Sequence, residues 1–223
     1  MNKKALVHCI TNYVAMDFTA NSLLAVGATP LMSFFPDEME DIVSKCDALL
    51  VNIGCLDNMQ IDAMKIAVKA AGKYGKPWVL DPVGADVTNV RFQTCALLME
   101  VNPPAVIKGN EREISALRTL LENYTGIVIQ TGKTDFISCG ERKAEVHFGS
   151  EMMDLVTAMG CSAGAVVASY ISNAEDAFQA SVDAMTLFGW AGENAAKKSN
   201  GTGTFKMEFI DELCRLSEII PCN

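Results

Sequence analysis

Trp78-Val79-Leu80-Asp81-Pro82-Val83-Gly84 sets a short apolar run against a turn of Asp, Pro and Gly, and that change of character decides the fold. The same plan recurs at Ala48 to Val51 before Asn52-Ile53-Gly54, at Ala105 to Ile107 before Lys108-Gly109-Asn110, and at Ile127 to Ile129 before Gln130-Thr131-Gly132. Runs that are apolar at every position are the pattern of parallel strands covered on both faces. Between them lie helical spacings: Met39, Ile42, Val43 and Cys46 share one face, as do Ile61, Met64, Val68 and Ala71 behind a capping Asp57. Strand and helix in alternation predict an α/β chain with a doubly wound parallel sheet.

Beyond Gly132 the pattern changes. Asp135 to Cys139, a Gly140-Glu141 turn and Lys143 to Phe148 predict a hairpin on the sheet edge. The run from Ala174 to Lys198 reads as helix, Asn200 to Thr204 breaks it, and Ile210, Leu213 and Leu216 mark a last amphipathic helix. With no repeat, linker or low-complexity tract, residues 1–223 are expected to form one domain.

Half of the 223 residues are hydrophobic and the formal net charge is -9. No basic stripe interrupts this acidity, which argues against nucleic acid or an anionic membrane as partner. An anionic ligand therefore needs local donors. The eight cysteines (Cys9, Cys46, Cys55, Cys95, Cys139, Cys161, Cys214 and Cys222) show no C-x-x-C spacing, and only His8 and His147 stand beside them, which argues against structural zinc. Scattered thiols, without an export pattern or a bilayer-length apolar run, predict a reducing, cytoplasmic setting.

In open α/β sheets ligands sit outside the carboxyl ends of the strands, so the four polar clusters are expected to face one crevice. Val156-Thr157-Ala158-Met159-Gly160-Cys161-Ser162-Ala163-Gly164 adds a small-residue turn running into a helix, with Cys161 expected at the first helical position. Unpaired N–H groups at a helix start suit phosphate and favour thiolate, but an Ala- and Gly-rich helix is equally the sequence of a close-packed core element. Asn110 and Glu113 form either a capping box or a carboxylate set beside a magnesium-phosphate group; Asp81 is either a turn residue or its partner. Thr131-Gly132-Lys133-Thr134 fails as a P-loop, because five residues separate Gly126 from Gly132 where the motif has four and a strand follows the lysine. Lys108 reads as a surface charge or a phosphate ligand, Met32 as core filler and Asn12 as a turn former.

Taken together in order, Val7-His8-Cys9-Ile10-Thr11-Asn12-Tyr13-Val14, Leu23 to Met32, Val51-Asn52-Ile53-Gly54, Asp81-Pro82-Val83-Gly84, Ile107-Lys108-Gly109-Asn110 with Glu113, Thr131-Gly132, Val156-Thr157 with Gly160-Cys161, and Gly203-Thr204-Phe205 resemble the hydroxyethylthiazole kinases of the ribokinase-like superfamily. The resemblance implies a three-layer fold, a homotrimer, and ATP- and Mg²⁺-dependent phosphorylation of the hydroxyl of 4-methyl-5-(2-hydroxyethyl)thiazole. It places Asn12, Val14, Met32, Gly54 and Ala158 at the thiazole, Lys108, Asn110 and Thr131 at ATP, Asp81 and Glu113 at the metal, and Cys161 as the catalytic base. The apolar segment from Phe18 to Pro30 is then either interface or core.

The chain departs from the family at four places. Lys108 stands where arginine is usual, Ala158-Met159-Gly160-Cys161 replaces Gly-x-Gly-Cys, Ala85-Asp86-Val87 replaces a glycine-rich continuation, and the stretch from Ile114 to Ile127 is short. Two readings follow from this: an active alcohol kinase, or an impaired homologue that binds the thiazole without turnover. A cysteine hydrolase is disfavoured, because neither histidine has a motif reason to pair with Cys161.

Overall fold

The computed structural model describes residues 4–221, so Cys222 lies outside the described residues. The chain runs β1 (Leu6–Ile10), α1 (Met16–Ala25), β2 (Thr29–Met32), α2 (Met39–Lys45), β3 (Ala48–Asn52), α3 (Asn58–Tyr74), β4 (Trp78–Asp81), α4 (Asn89–Val101), β5 (Val106–Asn110), α5 (Glu111–Ala116), α6 (Arg118–Leu121) and β6 (Ile127–Thr131). The hairpin β7 (Asp135–Cys139) and β8 (Arg142–Val146) follows, then α7 (Met159–Ile171), α8 (Ala177–Lys198) and α9 (Thr202–Ser217).

One eight-stranded sheet has the order β2-β1-β3-β4-β5-β6-β7-β8. All pairings are parallel as far as β6, and the hairpin closes one edge antiparallel. Alternate strand residues face opposite layers. Ala48 and Leu50 join the core beneath α1, α7, α8 and α9, while Leu49 and Val51 join the core beneath α2, α3 and α4. Both faces are therefore covered, which is the condition the uniformly apolar strands imposed.

Register brings the carboxyl ends of the strands together: Ile10 pairs with Val51, Asn52 with Asp81, and Asn110 with Thr131. In the segment from Phe18 to Pro30, Phe18, Leu23, Val26 and Ala28 are buried in the core, while Leu24 is exposed. Cys161 is the third residue of α7 rather than its first. The break before α9 ends at Gly201, because Thr202 to Thr204 already belong to the helix. No helix among the described residues is long and apolar enough to cross a membrane.

Candidate active site

Helix α7 enters from Ala158, whose φ of 77° makes it the only non-glycine residue among those described with a positive φ. An L side chain there costs roughly 1–2 kcal/mol. The strained turn aims the first N–H groups of α7, which have no intrahelical acceptor, out of the helix. Helix α1 braces α7 from behind through Thr19 Oγ1 and Ser162 Oγ, 3.2 Å apart.

The first turn of α7 lies between two compartments. Ala158 and Gly160 line a cavity of about 820 Å³ whose other walls include Asn110, Thr131, Phe148, Met153, Met185 and Gly189. Cys161 faces the other way, where Asn12 Nδ2 donates to its Sγ at 3.3 Å. Burial raises the Cys161 thiol above its ordinary range; Asp81 adds to this, while Lys108, Asn12 and Asn52 oppose it. This works against the expected thiolate without removing the donors that favour it. Desolvation and a buried carboxylate oppose the pull of the helix start.

Asp81 ends β4 and is 1% exposed. Burial pushes its carboxyl up to about 6 despite the opposing pull of Lys108; Glu113 pushes it further, and the Asn52 hydrogen bond draws it down. Glu113 closes a capping box with Asn110, accepting from Asn110 N through Oε2 at 2.9 Å, and it takes Gly84 N on Oε1 at 3.0 Å. Both earlier readings of this glutamate can hold together, because the cap fixes a carboxylate that also bears on Asp81.

Lys108 is buried in the middle of β5 and donates to the Gly160 carbonyl at 2.9 Å, while also lining the cavity. Thr131 Oγ1 donates to Gly109 O at 3.3 Å from the end of β6. Of the residues expected at the thiazole, Asn12 and Gly54 touch closely, Met32 is half-buried in β2, and Val14 is 68% exposed. At Val14 this side of the site is open to solvent.

No group of three or more His, Cys, Asp or Glu among the described residues would hold a metal alone. Two mutually repelling carboxylates, one of them acted on by the cavity-lining Lys108, do fit Mg²⁺ arriving with phosphates, since that ion takes one or two carboxylates and completes its shell with phosphate oxygens and water.

Two contributors escaped the motif reading. Asn52, fully buried, bonds to Asn12, Gly54 and Asp81. Arg91 ties the loops after β3 and β4, donating to the carbonyls of Ile53, Gly54 and Val83 at 2.6, 3.0 and 2.7 Å. Asn52 sits in a quoted motif, where its side-chain bonds are invisible. Arg91 follows Thr88, which caps α4, and nothing in the spacing marks it as a clamp.

A ribokinase-like superfamily protein from Enterococcus faecalis superposes with a TM-score of 0.74 at 12% identity, covering 98% of this chain and 88% of its own. That likeness places the fold in the ribokinase-like class, whose mostly parallel sheet lies between two helical layers. The profile of the hydroxyethylthiazole kinase family matches residues 1–126 and 115–218, and the chain belongs to that family. Hydroxyethylthiazole kinases from Thermoanaerobacter sp. and Archaeoglobus fulgidus are 41% and 38% identical, over 98% and 96% of this chain and 93% and 87% of their own. A hydroxyethylthiazole kinase structure from Pyrococcus horikoshii has a TM-score of 0.92 at 34% identity, covering 97% of this chain and 90% of its own. The two family segments overlap at 115–126, within the stretch read as shortened.

Proposed function

We propose that this chain transfers the γ-phosphoryl group of ATP to the hydroxyl of 4-methyl-5-(2-hydroxyethyl)thiazole. One observation carries the reading: the start of α7 separates a nucleotide-sized cavity, lined by Ala158 and Gly160, from the Asn12 side, which Cys161 faces. ATP occupies the cavity, with Lys108, Asn110 and Thr131 toward its phosphates. The alcohol lies against Asn12, Val14, Met32, Gly54 and Ala158. Mg²⁺, held by Asp81 and Glu113 with the phosphates, supplies neutralisation of phosphate charge.

The substrate oxygen bonds to the γ-phosphorus as the bond to the β-γ bridging oxygen breaks, and ADP leaves. Its hydroxyl proton passes to Cys161 Sγ in the thiolate form, which the Asn12 N–H and the helix start favour and which burial opposes. The free N–H groups of α7 receive the charge spread over the transferring oxygens.

The chain acts as one domain in the cytoplasm and assembles as a homotrimer. Exposed Tyr13 and Val14 on the alcohol side support an assembly that covers this region. Light scattering at micromolar concentration tests the trimer, and a monomer would contradict it. ADP release with the thiazole alcohol, measured beside binding of the alcohol without ATP, tests the activity. Turnover supports the kinase; binding without turnover contradicts it.

A further inference from the structure

Two backbone N–H groups settle a polarity that carboxamide shape leaves open. The two ends of an amide look alike, but a backbone N–H only donates, so the atom that accepts from it is oxygen. Gly54 N donates to Asn52 Oδ1 at 2.9 Å, which leaves Asn52 Nδ2 to donate to Asp81 Oδ2 at 2.7 Å. Ala15 N donates to Asn12 Oδ1 at 3.0 Å, so Asn12 Nδ2 forks between Asn52 Oδ1 at 3.1 Å and Cys161 Sγ at 3.3 Å. Sulfur therefore faces a donor.

Asn52 is the member of this chain that touches both ends while being fully buried. Its neighbour Gly54 leaves room for it: a Cβ there would stand 2.8 Å from Asn12 Nδ2 and 2.9 Å from Asn52 Oδ1. Without the Asn52 oxygen, the Asn12 amide loses one of the two acceptors that aim its Nδ2. Without the Asn52 nitrogen, the buried Asp81 carboxylate loses the side-chain donor on its Oδ2.

We propose that Asn52 is a positioning residue for the phosphoryl transfer, holding the Asn12 N–H against Cys161 Sγ and the Asp81 carboxylate in place at the end of β4. The proposal rests on the kinase reading above, and Asn52 acts through its neighbours rather than on the substrate.

Two isosteric variants test it. Asn52→Asp keeps an acceptor for Gly54 and Asn12 but offers no N–H to Asp81. Asn12→Asp leaves Asn52 in place and turns an acceptor toward the sulfur. The measurements are kcat and KM for the thiazole alcohol, and the iodoacetamide reaction rate at Cys161, resolved from the other thiols by peptide mass spectrometry. For Asn52→Asp the expected result is a kcat lower by about 30-fold with KM within about threefold, the split that marks an interaction felt in the transition state. In Asn12→Asp the alkylation of Cys161 slows by about fivefold or more, since that rate follows the thiolate fraction, while Asn52→Asp, which keeps the acceptor that aims Asn12, is alkylated at close to the parental rate.

A folded Asn52→Asp with parental kcat overturns the proposal. So does parental alkylation in Asn12→Asp, which would mean that the Asn12 N–H does not act on Cys161 Sγ. If Asn52→Asp does not fold, Asn12→Asp decides, and parental alkylation there overturns the proposal. If the parent protein does not turn over the thiazole alcohol, the kinase reading fails, while the alkylation rates still judge the placement of Cys161 separately.

Discussion

Lys108 Nζ donates to the Gly160 carbonyl across 2.9 Å, joining the middle of β5 to the first turn of α7. The bond holds the cavity wall against the strand that carries Asn110. It also places a cation near Asp81, whose carboxyl it draws down against burial.

Lys108→Arg is expected to lower the KM for ATP by about threefold to tenfold. A planar guanidinium can keep one N–H on Gly160 and offer another to phosphate, which a single ammonium at this reach does less well. A KM series for ATP checks this. An unchanged or higher KM would mean that the bond to Gly160 exhausts the role of this residue.

Ala158→Gly removes a Cβ from a left-handed turn at φ 77°. Stability is expected to rise by about 1 kcal/mol, because the strain relieved exceeds the added freedom of glycine in the unfolded chain. Where the strain persists into the transition state, kcat/KM rises by up to about tenfold, since ~1.4 kcal/mol is one decade. Denaturant unfolding and steady-state kinetics together decide; a less stable, no faster variant would show that the alanine is accommodated.

Asp81→Asn is expected to stabilise the fold while abolishing turnover. The Asp81 carboxyl is raised from its ordinary value to about 6, so the folded state binds the extra proton between those values and stability falls as pH rises through that window. Above about pH 6 the buried charge costs on the order of 1–3 kcal/mol, which the amide does not incur. Urea unfolding at pH 7.5 and pH 4 should show the gain at the higher pH and little at the lower. An equal effect at both would put the cause elsewhere than ionisation.

Much of this was legible in the sequence because buried parallel strands leave unbroken apolar runs. Residues 48–51, 78–80 and 127–129 are all strand, and the hairpin lies on the sheet edge as its turn residues required. Helix α4 was not marked by periodicity, since Cys95 and Leu98 are buried while Val90, Leu97 and Val101 lie exposed, giving no single stripe. Strands β1 and β2 carry polar residues, with His8 buried in β1, so they entered the reading through the family motif alone.

Within the site, the capping box was readable from spacing, and the glycine preference at Ala158 anticipated its backbone. The raised thiol was not readable. It depends on how deeply Cys161 lies and on Asp81, which is 80 residues away in sequence and beside it only in the folded chain.

Cys161→Ala, assayed by formation of the thiazole phosphate under saturating Mg²⁺ and ATP, tests the central claim most directly. The account predicts a kcat about 10²-fold lower with KM for the alcohol nearly unchanged, the lower end of what a positioned base contributes, because burial limits the thiolate. A variant with the parental kcat would contradict it and leave Cys161 as a packing thiol at the start of α7.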